Sequence, residues 1–217
     1  MNHLLEVEGL TVDYPIRRGV FTAIEDVSFH VSAGEILGVV GESGAGKSTV
    51  GAAIMRLIDY PGFIRSGKIV LSGLDLASLS DQDMTAARGR RIGMIFQDPL
   101  TALNPVLTIG TQIRETIRKH TKLTGKAVDA RAVELLAQVG IPEPERRLAQ
   151  YPHQFSGGMR QRVVIAIALS GEPELLVADE PTTALDVSIQ SEILDLIRGL
   201  CRDRNLGVIL ITHDMAV

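Results

Sequence analysis

The run Gly41-Glu42-Ser43-Gly44-Ala45-Gly46-Lys47-Ser48-Thr49 constrains the fold of this chain more than any other segment. It fits the pattern G-x-x-x-x-G-K-[ST]. Ahead of it, Ile36-Leu37-Gly38-Val39-Val40 reads as a short buried strand. Behind it, Ser48 to Ile58 reads as a helix with Val50, Ile54, Leu57 and Ile58 on one face. Glycines at 41, 44 and 46 let successive backbone N–H groups turn inward around an anion without Cβ clashes. The helix N-terminus adds partial positive charge at the same point. Lys47 then reaches the β- and γ-phosphates of a nucleoside triphosphate, and the Ser48 hydroxyl suits Mg²⁺. A glycine-rich turn that binds nothing is the bland alternative. Strand, loop, Lys-Ser pair and helix in this order favour a triphosphate site.

The rest of the chain supplies a sheet for that loop to sit on. Residues 4–8 and 27–31 alternate apolar and polar as half-buried strands do, with Val27, Phe29 and Val31 on one face. Lys68 to Leu71 reads as another short strand. Ile92 to Phe96, Leu175 to Ala178 and Val208 to Ile211 are unbroken apolar runs suited to the interior of a parallel sheet. Each ends on a polar residue, Gln97, Asp179 or Thr212-His213, where open α/β sheets bind ligands. Residues 98–155 lack strand patterning. Ile109, Ile113 and Ile117 are spaced like one helix face, and Val128, Val133, Leu136 and Val139 like another, which predicts an inserted helical subdomain. With 217 residues, 45% of them hydrophobic, the chain can bury a sizeable core. The net charge of −4 argues against a nucleic-acid surface. Cys201, the single cysteine, falls in the apolar pattern Ile193, Leu196, Ile197, Leu200 and reads as core packing. No apolar run is long enough for a membrane span and no signal-peptide pattern opens the chain, so the expectation is a soluble, cytosolic protein.

Leu175 to Glu180 is four apolar residues followed by two carboxylates. Beside a phosphate loop, Asp179 belongs near Mg²⁺, usually through water, and Glu180 is placed to take a proton from the attacking water as general base. A helix cap is the competing reading of this Asp-Glu pair. Gln97 offers a carbonyl and an amide for Mg²⁺ or for the attacking water, although a polar strand end is commonplace. His213, at the end of another apolar run, is either structural or a hydrogen-bond donor to the γ-phosphate. His3, His30, His120 and His153 have no metal-like spacing. Ser156-Gly157-Gly158 precedes a helical stretch, with Ser156 as its N-cap and open glycine amides behind it. It is either a capped core helix or a second anion site, and a second site makes sense if it serves a nucleotide held by another copy.

Together these residues resemble the nucleotide-binding domain of ATP-binding cassette (ABC) proteins. Gly41 to Thr49 match the Walker A loop, Leu175 to Glu180 the Walker B strand, Gln97 the Q-loop and Phe155-Ser156-Gly157-Gly158-Met159 the signature. Ala184-Leu185-Asp186 match the D-loop and His213 the switch histidine. The signature has Phe155 where Leu is usual and Met159 where Gln is usual. The resemblance implies a P-loop NTPase (RecA-like) α/β fold: a mainly parallel sheet core, an N-terminal antiparallel β subdomain, and an inserted helical subdomain. The implied division is 1–97 with 156–217 for the core and 98–155 for the helical part. It further implies ATP and Mg²⁺, head-to-tail pairing with a second ATPase subunit in which Asp186 helps join the two, and an aromatic residue on adenine. Tyr14 is the choice for that aromatic, with Phe21 as substitute.

Phe96 to Pro105, Tyr151 to Arg162 and Asp179 to Val187 resemble the ATPase subunits of bacterial peptide importers. That likeness implies transmembrane permease subunits as partners, a solute-binding protein indirectly, no nucleic acid, and a peripheral place on the cytoplasmic side of the inner membrane. The family continues well past the switch histidine whereas Val217 follows His213 by four residues, so the resemblance implies a piece of a longer protein, or the first cassette of a tandem pair, with some apolar surface uncovered. The rival readings are a soluble ABC ATPase acting on nucleic acid or ribosomes, a small-molecule kinase with no need of Ser156-Gly157-Gly158 or Asp186, and a regulatory module that binds ATP without hydrolysing it.

Overall fold

Leu175–Asp179 and Gly207–Thr212 lie side by side in parallel at the centre of the molecule, and every residue of the two is buried except Asp179. A computed structural model describes residues 3–183 and 185–214. Among them the chain begins with β1 (Leu5–Ile16), β2 (Gly19–Val31), β3 (Ile36–Val40), α1 (Lys47–Ile54), β4 (Phe63–Leu71), β5 (Leu74–Asp75), α2 (Asp81–Arg90) and β6 (Ile92–Ile95). It continues with α3 (Pro99–Ala102), α4 (Ile109–His120), α5 (Lys126–Gln138), α6 (Pro144–Arg147), a 3-10 turn at Pro152–Gln154, α7 (Gly157–Ala168), β7 (Leu175–Asp179), α8 (Val187–Arg204) and β8 (Gly207–Thr212). One sheet is parallel, ordered β3-β8-β7-β6, and the other antiparallel, ordered β2-β1-β4-β5. The fold is the α/β P-loop NTPase arrangement that the motifs imply.

Because successive strand side chains point to opposite faces, β7 and β8 feed two cores at once. Leu176, Ala178, Val208 and Leu210 join Ile113, Leu135, Val164 and Ile197 from the helices. Leu175, Val177, Ile209 and Ile211 join Val50 and Ile54 of α1 and Leu5, Val12 and Ile69 of the antiparallel sheet. A strand that must be apolar on both sides shows no alternation, which explains the unbroken runs. Between β6 and β7 all regular structure is helical. Ile109, Ile113 and Ile117 are fully buried along α4. In α5 the buried residues are Val128, Ala132, Leu135 and Leu136, with Val139 just beyond, while Val133 is only half-buried. The stripe is therefore one position off the sequence reading at Val133, since a 3.6-residue period carries Ala132 inward instead. Cys201 is buried in α8 and its thiol donates to the Leu206 carbonyl at 3.1 Å.

Two other expectations need correcting. The helix after the phosphate loop stops at Ile54 rather than Ile58, and Leu57 is exposed. Arg56 adopts a left-handed φ of 48°, and the Arg56 and Leu57 amides bond back to the Ala53 and Ala52 carbonyls, a helix-ending motif usually built on glycine. Arg88 holds that end from outside. Its side chain donates to the Met55 and Arg56 carbonyls, both at 2.8 Å, from a kink in α2 at Arg88 and Gly89. Among the described residues β3 is the outer strand of the parallel sheet, beside β8. The strands read at 4–8, 27–31 and 68–71 are ends of longer ones, Leu5–Ile16, Gly19–Val31 and Phe63–Leu71. Residues 15–20 close a hairpin, with Pro15 paired to Val20 and Ile16 to Gly19. No helix among the described residues is long and apolar enough to cross a membrane.

Candidate active site

Between β3 and α1 the loop is built on two left-handed glycines, Gly44 at φ 82° and Gly46 at φ 83°. Gly46 is the N-cap of α1 and no side chain caps that helix, so its first N–H groups face the loop. A Cβ on Gly46 would lie 2.6 Å from the Ala23 carbonyl oxygen and 2.5 Å from Ile24 Cγ2. Gly46→Ala is therefore expected to cost about 2 kcal/mol of stability. It should also weaken triphosphate binding at least about tenfold by tilting those amides; thermal melts and an ATP titration check both. Lys47 is 8% exposed and its Nζ donates to the carbonyls of Gly41 at 2.8 Å and Glu42 at 2.7 Å. The Ala45 amide also bonds to Glu42, at 3.2 Å.

Across the parallel sheet, the ends of β6, β7 and β8 bring four polar residues together. The Ser48 hydroxyl donates to Asp179 Oδ1 at 2.9 Å. Burial pushes the Asp179 carboxyl up, and the Glu180 charge adds to this, against Ser48 and Lys47, which pull it down. Glu180 has a left-handed φ of 46°, held by its amide bonding to the Ile211 carbonyl at 2.9 Å. That conformation costs a non-glycine residue about 1 kcal/mol. It turns the carboxylate towards three donors: Gln97 Nε2 at 3.0 Å, the Thr183 hydroxyl at 2.8 Å and His213 Nδ1 at 3.3 Å. Burial pushes the Glu180 carboxyl up, but Thr183, His213 and Lys47 outweigh it and the net shift is downward. Glu180 is thus an ionised acceptor at neutral pH.

A cleft of about 790 Å³ joins the loop to this cluster, with Ser43, Gly44, Gly46, Lys47, Ser48 and Thr49 on one side and Gln97, Glu180 and His213 on the other. Tyr14 and Phe21 both line it. They are direct cross-strand partners in β1 and β2, so their rings share a sheet face. Tyr14 is half-buried against Gly62, and Phe21 is exposed. Ser156, Gly157 and Gly158 lie elsewhere, at the start of α7, where the Ser156 side chain accepts from the Met159 amide at 3.3 Å. Gly158 abuts Ile189 of α8 so closely that a Cβ would fall 2.7 Å from Ile189 Cγ2. Asp186, exposed at the N-cap of α8, therefore sits on the helix packed against Gly158. Ala184 lies outside the described residues.

A model of the ABC transporter family matches residues 24–183. The chain belongs to the ABC transporter family. It is 52% identical to the oligopeptide transport ATP-binding protein OppD of Bacillus subtilis over all of this chain and 61% of that one. It is 50% identical to the dipeptide transport ATP-binding protein DppD of the same organism, over all of this chain and 65% of the relative. For DppD of Escherichia coli the identity is 48%, over 99% of this chain and 65% of the relative. The ABC chain thus spans rather less than two thirds of the length of the curated relatives it matches. Among solved structures it is similar to the dimeric ATP-binding cassette MJ0796 in a post-hydrolysis state with ADP and Pi. The TM-score is 0.85 at 29% identity, covering 98% of this chain and 89% of that one.

Within this ABC chain, the residues singled out in the sequence fall into two groups. Tyr14, the phosphate loop, Gln97, Glu180 and His213 gather around one cleft, with Asp179 behind it on the Ser48 hydroxyl, whereas Ser156, Gly157, Gly158 and Asp186 lie at the starts of α7 and α8. Sequence reasoning missed Thr183, whose hydroxyl holds Glu180. Its only signal is a hydroxyl three residues after a carboxylate that ends a strand. Ala23 also went unnoticed, although its carbonyl sets the space that only a glycine at 46 can occupy.

Proposed function

We propose that this chain is the ATP-hydrolysing part of an importer, taking up peptides or a related solute. The observation that carries this reading is Glu180: a carboxylate kept ionised by Gln97, Thr183 and His213, facing a phosphate-binding loop across a cleft sized for a nucleotide. Gly41 to Thr49, with Glu42, Ser43 and Ala45 among them, wrap the triphosphate, and Lys47 neutralises the β- and γ-phosphates. Glu180 accepts the proton of the attacking water, Gln97 orients that water, and His213 donates to the γ-phosphate. Tyr14 or Phe21 stacks on the base.

The Ser48 hydroxyl and the Asp179 carboxylate, already bonded to each other, together with the Gln97 carbonyl form a hard oxygen set that fits Mg²⁺ alongside phosphate oxygens. Ser48 and Gln97 would hold the ion directly and Asp179 through water, and the ion would supply neutralisation of developing phosphate charge. Ser156, Gly157 and Gly158 close over the triphosphate of a second, head-to-tail cassette, and Asp186 lies at the seam. The dimeric cassette among the similar structures supports that pairing.

Residues 98–155 act as a helical arm through which opening and closing reaches transmembrane permease subunits, near Gln97. The assembly sits on the cytoplasmic face of the inner membrane, with a solute-binding protein upstream. The names of the relatives, oligopeptide and dipeptide transport proteins, support the cargo class. The test is affinity purification of the tagged full-length protein from its own cell membranes. Co-purifying permease subunits, with ATPase activity raised by a peptide-loaded binding protein, are expected. Recovery with ribosomes or nucleic acid in place of permeases overturns the reading.

A further inference from the structure

A second cleft, of about 610 Å³, opens at the end of the parallel sheet opposite Glu180, between α2, the C-terminal end of α4 and the turn from α7 to β7. Arg90, Lys119 and Lys122 line it, and all three are exposed. None of them makes a hydrogen bond or ion pair among the described residues. Glu172, the carboxylate on the wall of the cleft, is already bound by Arg131 at 3.1 Å. Three cations thus border a concavity with one carboxylate on its wall, Glu172, which is shared with Arg131.

The floor of the cleft is backbone in tight contact. The His120 ring lies against Gly89, where a Cβ would fall 2.5 Å from Nε2, and a Cβ on Gly171 would collide with the Gly89 carbonyl oxygen. Glycines at 89 and 171 let α2, α4 and the turn before β7 meet at this point. Burial and the neighbouring Lys119 both push the His120 pKa down, so the imidazole is uncharged at neutral pH and adds hydrogen-bonding capacity rather than charge. The volume of this open cleft is that of a small-ligand site, and the net charge of −4 disfavours a nucleic-acid track.

We infer that this cleft is a binding site for a compact phosphate-bearing anion, gripped by Arg90, Lys119 and Lys122. Such a group is recognised by charge-assisted bonds from arginine and lysine. The phosphate can belong to a free metabolite or to a lipid headgroup.

The test titrates inorganic pyrophosphate into the chain and follows amide shifts by NMR. Two backgrounds keep the phosphate loop out of play: Lys47→Ala, and wild type saturated with a non-hydrolysable ATP analogue. Shifts are expected at Thr121, Lys122, Gly171 and Glu172. The surface pair Arg90→Gln and Lys122→Gln should reduce pyrophosphate affinity at least about tenfold while ATP affinity at the first cleft is unchanged. Added salt should weaken binding in parallel. Sedimentation with phosphatidic acid vesicles against pure phosphatidylcholine vesicles separates the sources: sedimentation lost in the double variant assigns a headgroup, and binding of pyrophosphate alone assigns a free anion. Shifts confined to Gly41–Thr49, or neither pyrophosphate binding nor sedimentation sensitive to the double variant, overturn the site.

Discussion

Replacing Glu180 with glutamine is expected to lower ATP turnover of the full-length protein by at least ~100-fold while ATP affinity stays within about threefold of wild type. The substitution keeps the shape of the side chain and its acceptor for Thr183 but removes the charge that Gln97 and His213 now face. Nothing in the phosphate loop depends on that charge, and losing a negative group near a triphosphate favours binding if it has any effect. Because the Glu180 carboxyl is held below its ordinary value of 4.5, it stays ionised from neutral pH down past that point. An acid loss of activity centred well above pH 4.5 therefore belongs to another group. Single-turnover measurements with trapped nucleotide check the prediction, and wild-type-like rates in the variant would remove Glu180 from its role as base.

Lys47→Ala acts on binding instead. The buried ammonium donates to the Gly41 and Glu42 carbonyls and so holds the loop in shape as well as supplying positive charge. Charge-assisted hydrogen bonds are worth about 1.5–3 kcal/mol each, and ~1.4 kcal/mol is tenfold in affinity, so loss of the two that Lys47 would make to the β- and γ-phosphates weakens ATP binding about 100-fold or more. Lys47→Arg should fail nearly as badly, because a planar fork does not fit where a compact ammonium reaches two adjacent carbonyls. Equilibrium titration with a fluorescent ATP analogue reads the effect. Affinity within threefold of wild type in Lys47→Ala would move the phosphate site away from this loop.

Much of the architecture was legible because the physical demands are local. A loop that must place glycines at φ near 80° and follow them with Lys-Ser leaves a mark in nine consecutive residues. A strand apolar on both faces likewise leaves an unbroken run, as Leu175 to Ala178 does. What was not legible depended on distant contacts. Nothing near Arg56 in sequence announces a helix end, because the residue that fastens it is Arg88, more than thirty positions later. In the site, the grouping of Gln97, Glu180 and His213 follows from three strand ends meeting, but Thr183 acts only because Glu180 takes a left-handed turn, a strained choice that residue type does not betray.

The grip of Arg88 on the end of α1 has a mechanical consequence. The front of that helix is the phosphate loop, and its back is pinned to the junction from which β6 runs forward to Gln97. Loop, helix, guanidinium and strand make a closed frame with both of its forward corners on the same cleft. A push delivered at either corner is returned to the other as displacement, where a helix with a loose tail would absorb it by fraying.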